Sequence, residues 1–555
     1  MPKVHPRLIA ALCTVAFVLH NANAQRSAID TYAITNARIV TVSGPIIERG
    51  TVVIRNGLIE AAGPNVSAPP DARVIDGAGL TVYPGLIDSY TNLALPEPAA
   101  APSPGGGGGG GQAFLLLQQQ RPAPGGPNST QPAGLQPEVT VEDVIRPSGT
   151  EIESSRNIGI TTALTAPRSG IWMGQSALIN LSGETPQQMI VRSPVAMHVS
   201  FTPLRGGGYP GSLLGVFSTL RQMMLDAQRY RDSMQIYERN PRGIRRPDVD
   251  RSLAALVPVI EGRMPVVMLA NSEREITRAL GLAQEFKLKL IIAGGREADR
   301  VASDLKKQNI PVLLSLNLPR RTTAAMPEAD PEPMRVLRER VEAQQTAGRL
   351  AKAGVRFAFQ SGSLTNISDL MLNASRVIEN GLSSADAVRA FTIWPAEILG
   401  VSSQLGSIEP GKIANLTITR GDLFDPNSRV AHVFIDGRPI DLRAATERPG
   451  GARNTVSGAW SLNVKFGADE KAGTLTLQQE GERVTGSIAG SLGAGEISNA
   501  SMSADELRFT VPLQLEGQTK EATFSGTLSG NEIRGTVTVV GSAPGTFTAT
   551  RSRPN

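Results

Sequence analysis

Apolar and polar positions follow three different rhythms along this chain. Between residues 32 and 81 the apolar stretches are short: Ala37–Val42, Thr51–Ile59 and Arg73–Gly77. Asn56-Gly57 interrupts the second, and because both residues tolerate positive φ it predicts a hairpin. The region reads as a small antiparallel sheet. Stretches of similar character return at Gly406–Thr419 and Val430–Ile440. From 155 onward, strand-like and helix-like blocks alternate. Strands are predicted within Gly159–Pro167 and Ile171–Leu181, and a helix over 212–239. Then come strand Pro265–Ala270, helix Glu273–Phe286, strand Leu288–Ile292, helix Glu297–Gln308, strand Val312–Leu316, helix Pro333–Lys352 and strand Val355–Phe359. Ile276, Leu280, Ala283 and Phe286 recur at helical spacing and mark a buried stripe. After Pro449-Gly450-Gly451 the rhythm has period two. Trp460, Leu462, Val464 and Phe466 alternate with polar residues, as do Leu507, Phe509, Val511, Leu513 and Leu515. Turn residues at Gly467, Gly481, Gly530-Asn531 and Gly541 divide residues 455–553 into about eight antiparallel strands, a small barrel or sandwich.

Strict strand–helix alternation predicts a parallel sheet, and eight such units beside a separate sheet predict an α/β fold of the (β/α)8 TIM-like barrel type. Residues 94–137 break the pattern with proline, alanine, seven glycines at 105–111 and Gln118-Gln119-Gln120. Such a segment buries too little apolar surface to offset its ordering entropy, so it reads as a disordered or loosely held insert. Ala113–Leu117 is the one apolar patch within it. No Lys-Ser/Thr follows the glycines, which excludes a phosphate loop.

The N-terminus changes the picture of location. Lys3 and Arg7 precede the apolar run Leu8–Leu19, and Ala22-Asn23-Ala24 offers a cleavage site, the pattern of a signal peptide over residues 1–24. A periplasmic or extracellular product follows. Cys13 lies inside that run, so the mature chain has no cysteine and must be stable through its core. Removing Lys3 and Arg7 lowers the formal charge from +5 to +3, weak support for any anionic partner, and no basic cluster is interleaved with aromatics. Nucleic-acid binding is not expected, nor is a transmembrane segment.

Val82–Leu93 (VYPGLIDSYTNL) reads as a buried strand carrying polar groups at its C-terminal end. It resembles the first barrel strand of the amidohydrolase superfamily, Pro-Gly-Leu-Ile-Asp-x-His-x-His, in the secreted imidazolonepropionase/prolidase-like branch. The likeness extends over roughly residues 30–442. It implies a flanking composite β-sheet domain (25–81 with 401–445), a barrel (82–400) containing the 94–137 insert, and, outside the resemblance, a C-terminal all-β domain (455–553). Ser457–Trp460 is similar to the Gly-x-Trp opening of lipocalin-like barrels, on three residues only.

The resemblance also implies zinc or another divalent metal held by four histidines and an aspartate, often with a lysine carbamate. A bound metal brings the pKa of water from about 15.7 towards 7. Here Tyr90 and Asn92 stand at the two histidine positions of the first strand, and only His198 and His432 remain after residue 24. Leu269 or Ala270, Ala293, and Ser361 or Gly362 occupy the other expected ligand positions. The metal ligands are replaced, and no cofactor is expected.

The candidate pocket residues are Asp88, Tyr90, Asn92, His198, Asn271, Gln360 and Ser361; the catalytic residues, if any, are not identifiable from the sequence. Asp88 is expected to bond backbone groups of the next loop, Tyr90 and Asn92 to share a face at the barrel mouth, and His198 to be a satisfied core histidine. His432 reads as structural. Ser176 has no base near it in sequence, and with Gln175 it belongs to an uncharged polar rim. Three readings compete: an exported hydrolase of non-peptide carbon–nitrogen bonds with an unusual site; a silent barrel binding a small polar molecule or a protein; and a structural envelope component. An oligomer is compatible with each.

Overall fold

The computed structural model describes residues 31–96, 131–132, 134–204, 209–319, 333–425, 428–442 and, apart from several turns, 456–551. The chain divides into two compact units, residues 1–443 and 444–555. The expected signal peptide and most of the glycine-rich insert, with Ala113–Leu117, lie outside the described residues.

The first unit opens with β1 (Tyr32–Ile39), β2 (Ile47–Arg55), β3 (Leu58–Gly63), β4 (Arg73–Asp76) and β5 (Leu80–Pro84). The β2–β3 hairpin turns at Asn56 and Gly57, with φ of 53° and 81°. The sheet is mixed rather than antiparallel, because β1 pairs in parallel with both β4 and β5. The loop after β1 is closed by Thr41, whose hydroxyl donates to Pro45 O and accepts from Gly44 N. It holds Val42 at φ 70°, a left-handed conformation costing a side-chain-bearing residue roughly 1–2 kcal/mol.

The barrel strands follow: β6 (Leu86–Thr91), β7 (Ile160–Thr165), β8 (Trp172–Gln175), β9 (Ala177–Asn180), β10 (Ile190–Arg192), β11 (Met197–Ser200), β12 (Val266–Ala270), β13 (Leu290–Gly294), β14 (Val312–Ser315) and β15 (Phe357–Gln360). β11 to β15 pair in parallel in sequence order, and β6 pairs in parallel with β7. The Ser89 hydroxyl donates to Phe359 O at 2.7 Å and joins β6 to β15. The result is a TIM-barrel-like α/β fold. One strand departs from the expected parallel order: β8 runs antiparallel to β11, and β9 antiparallel to β7. They are two halves of one strand bent at Ser176. The connection Ala166–Ile171 carries no helix and is too short for the dozen or so residues that a parallel crossover needs, so the chain returns the other way.

Ser272 caps the helix Glu273–Phe286 in a reciprocal box with Glu275, and all four residues of its apolar stripe are buried. Glu297–Gln308 forms a 3₁₀ turn (Ala298–Val301) and then a short helix (Ala302–Lys307). Leu93, Ala94 and Leu135, at the ends of the expected insert, are core residues. No described helix is long and apolar enough to cross a membrane.

β16 (Leu416–Arg420), β17 (Arg429–Ile435) and β18 (Arg438–Ile440) return to the first sheet, β16 pairing antiparallel with β5 to make one eight-stranded sheet. Asn415 ties that sheet to the barrel. Its amide donates to Thr162 Oγ1 (3.0 Å) and Asn180 Oδ1 (2.8 Å), and its carbonyl oxygen accepts from Asp436 N (2.8 Å). Asn180 in turn donates to Asp436 Oδ1.

The second unit consists of β19 (Gly458–Phe466), β20 (Asp469–Glu480), β21 (Arg483–Gly490), β22 (Gly493–Glu496), β23 (Ser498–Ser503), β24 (Glu506–Leu515), β25 (Gln518–Ser529), β26 (Glu532–Val539) and β27 (Gly545–Arg551). β19 pairs β27 while β20 pairs both β19 and β21, so the sheet closes into a ring, with β22 appended to β21. Phe509 stacks on Phe524 at 4.8 Å, and Phe547 meets Phe524 edge-on at 5.1 Å. Trp460 donates its Nε1 to Val456 O under the Arg551 guanidinium. These rings fill the interior.

Candidate functional site

In a barrel of parallel strands the C-terminal strand ends form the mouth where chemistry is placed. Here β6 contributes Asp88 and Tyr90, β11 contributes His198, and β15 leads into Gln360, Ser361 and Gly362. Asp88 is fully buried. It accepts from Ser361 N (3.0 Å), from the Ser361 hydroxyl and, at 3.4 Å, from Tyr90 N. Its partner is thus the last barrel strand and not the next loop as expected. Burial outweighs these donors and pushes its carboxyl up to about 6.

Tyr90 turns into the barrel, packed with Ile87, Leu164, Ala293 and Leu313, and its ring lies 5.5 Å from that of His198. Burial raises its phenol. His198 is buried, but neither ring nitrogen has a hydrogen-bond partner among the described residues, contrary to the expected satisfied histidine. Desolvation pushes it down to about 3, so it is neutral at pH 7.

Asn92 does not share Tyr90's surroundings: it donates to Ala166 O at 2.7 Å. The Gln360 amide donates to Leu313 O and accepts from Gly362 N at 2.9 Å. Asn271 is exposed and packs over Gly294, where an added Cβ would lie 2.5 Å from its Oδ1. Gln175 donates to Pro137 O, the Ser176 hydroxyl donates to Ala196 O, and His432 lies half-buried in the flanking sheet. The structure therefore brings Asp88 to Ser361 and Tyr90 to His198. It leaves Asn92 and Asn271 outside that cluster.

The corner where the sequence resemblance implies a metal has an unsuitable donor set. Among the described residues no three His, Cys, Asp or Glu side chains come together to hold an ion. Both Asp88 oxygens are already acceptors. A Cβ on Gly362 would stand 2.7 Å from Tyr90 Cδ1, so the phenol ring occupies the space that a carboxylate there would need.

Two residues not singled out from the sequence border a cleft of about 330 Å³ beside the ends of β6 and β7, lined by Leu95, Val139, Thr140, Arg168 and Trp172. Arg168 donates to Asn92 O and Leu95 O. Trp172 Nε1 is buried and lacks a partner among the described residues. Trp172 sat in plain view within an apolar run, and only the reversal of β8 brings it to the cleft.

Residues 292–440 match the amidohydrolase family model. Seventy-eight residues are 33% identical to N-acetylglucosamine-6-phosphate deacetylase of Haemophilus influenzae, covering 14% of this chain and 19% of that protein. Sixty-three are 40% identical to a dihydroorotase of Geobacter sulfurreducens, covering 11% and 15%. The chain thus matches less than a fifth of the length of these curated relatives. A solved amidohydrolase from Thermotoga maritima superposes with a TM-score of 0.61 at 23% identity, over 74% of this chain and 99% of that one. That likeness speaks for the fold.

Proposed function

We propose that this chain is an exported amidohydrolase-like protein, a (β/α)8 barrel with a flanking composite sheet, whose mouth binds a small polar molecule without hydrolysing it. The family match suggests a hydrolase. The observation that carries the silent reading is the Tyr90 ring, seated against His198 and over Gly362 where a metal and its ligands would need room. A lone imidazole and a carboxylate already accepting three hydrogen bonds fall short of the three protein ligands that catalytic zinc sites provide. No step through a metal is derived.

The cleft of about 330 Å³ supports the binding half of the reading. Arg168, at the edge of the cleft, is a donor, which favours a ligand presenting an acceptor oxygen, a carboxylate or a carbonyl. Export rests on the Lys3–Ala24 pattern.

Elemental analysis of the purified protein after dialysis against trace zinc tests the silent reading. Less than stoichiometric metal, and a melting temperature indifferent to chelator, are expected. One tightly held ion per chain would restore the hydrolase reading and put Asp88 and His198 at the head of its ligand set.

A further inference from the structure

A second cavity, of about 530 Å³, lies away from the barrel mouth, between the flanking sheet and two barrel helices, Asp369–Glu379 and Ser384–Phe391. Its apolar wall is built by Val40, Val42 and Ile46 from the sheet side and by Ile378, Val388 and Phe424 opposite. Thr41 pins the loop in which Val42 takes its left-handed φ, and Val42 packs against the core, so hydrogen bonds and packing together hold this wall in place. Ile46 is 47% exposed, apolar surface that no described residue covers.

The polar rim has a definite sign. Tyr83 donates its hydroxyl to Asp422 Oδ1 at 3.4 Å, and Arg38 faces the same carboxylate at 3.7 Å. Arg38 also donates to Glu48, and Arg389 donates to Asp386 at 3.1 Å, so each guanidinium in the lining is matched by a carboxylate beside it. Glu379 then adds a negative charge and forms no ion pair among the described residues. An apolar body with the unmatched Glu379 carboxylate at its edge complements an ammonium group on a hydrophobic molecule.

We propose that this cavity is a binding site for a small amphiphilic cation, its apolar body against Val42, Ile46 and Val388 and its charged head towards Glu379. The site is independent of the barrel mouth and of whether the barrel is silent.

The test is isothermal titration of the full chain at pH 7 with nonylamine, nonanol and nonanoate, three probes sharing one apolar body, each below its aggregation concentration. The amine should bind at least about tenfold tighter than the acid, with the alcohol between. Ala385→Trp, an exposed position in the lining, should weaken the amine about tenfold by filling the cavity. Glu379→Gln should bring the amine close to the alcohol. If Ala385→Trp melts at a lower temperature than wild type, Ile46→Ser takes its place, with about a threefold loss expected. Equal affinity for amine and acid, no binding of the amine, or amine binding unchanged by the cavity variants would each overturn the proposal.

Discussion

The rings of Tyr90 and His198 lie 5.5 Å apart at a tilt of 50°, an aromatic pair inside the barrel end where the sequence resemblance implies metal chemistry. Its acid sensitivity follows from burial. His198 has its pKa lowered from 6.5 to about 3, so the folded state binds fewer protons between those values. Stability from the neutral ring is fully present above pH 6.5 and is lost as pH falls towards 3, up to about 5 kcal/mol in total. His198→Leu, close in volume and free of unpartnered nitrogens, should match or exceed wild type at pH 7 and lose much less between pH 6 and 4. Urea unfolding at the two pH values measures this; parallel pH profiles would refute it.

Asp88 works in the opposite sense. Its pKa is raised from 3.8 to about 6, so the folded state binds more protons in that window. Its contribution is greatest below pH 3.8 and falls as pH rises through 6, by about 3 kcal/mol. Relative to wild type, Asp88→Asn should therefore gain stability between pH 4 and 7. A variant that tracks wild type across that range would show Asp88 to be ionised throughout.

Restoring a carboxylate at the last strand should fail for steric reasons. Gly362→Asp would bring its Cβ to 2.7 Å from the Tyr90 ring, costing about 1–3 kcal/mol of overpacking. Tyr90→Ala leaves a cavity of its own, but in that background the added aspartate should cost less than it does alone. A double-mutant cycle reads the coupling, and additivity within about 0.5 kcal/mol would mean that the two sites do not meet.

Asn415 should be among the most sensitive polar positions. Asn415→Leu strands Asp436 N and removes the donor shared by Thr162 and Asn180, all in or beside the buried junction. Unsatisfied buried groups cost about 1–3 kcal/mol each, so a loss of about 3 kcal/mol in unfolding free energy is expected. A loss under about 0.5 kcal/mol would show that the network carries no weight.

How much of this was legible depended on whether a feature is local. Helix Glu273–Phe286 announces itself through Ser272, Glu275 and four residues at helical spacing, and it forms where those signals place it. The flanking hairpin announces itself through Asn56-Gly57. Strand direction has no such mark: Ile171–Leu181 is apolar whichever way it runs, and only the shortness of Ala166–Ile171 hints that it reverses. Side-chain destination was the least legible. Tyr90 and Asn92 are two apart and were expected on one face, but the ladder of β6 with β7 slips between Asp88 and Thr91, which takes Tyr90 inward and Asn92 to Ala166. Asn415 reads as one polar residue in a strand, and its three partners come from segments up to 253 residues distant.

In the C-terminal unit the ring is sealed by β19 and β27, its first and last strands in sequence. Synthesis delivers β27 last, so until it arrives β19 lacks one of its two partners, and β26, once made, has an open hydrogen-bonding side as well. Any truncation before Gly545 leaves that seam permanently unzipped, with backbone donors and acceptors of two strands available to pair with another chain. A circular permutant cut at one of the hairpin turns and rejoined between Arg551 and Gly458 would shift that vulnerable moment to a different pair of strands while preserving the same closed ring.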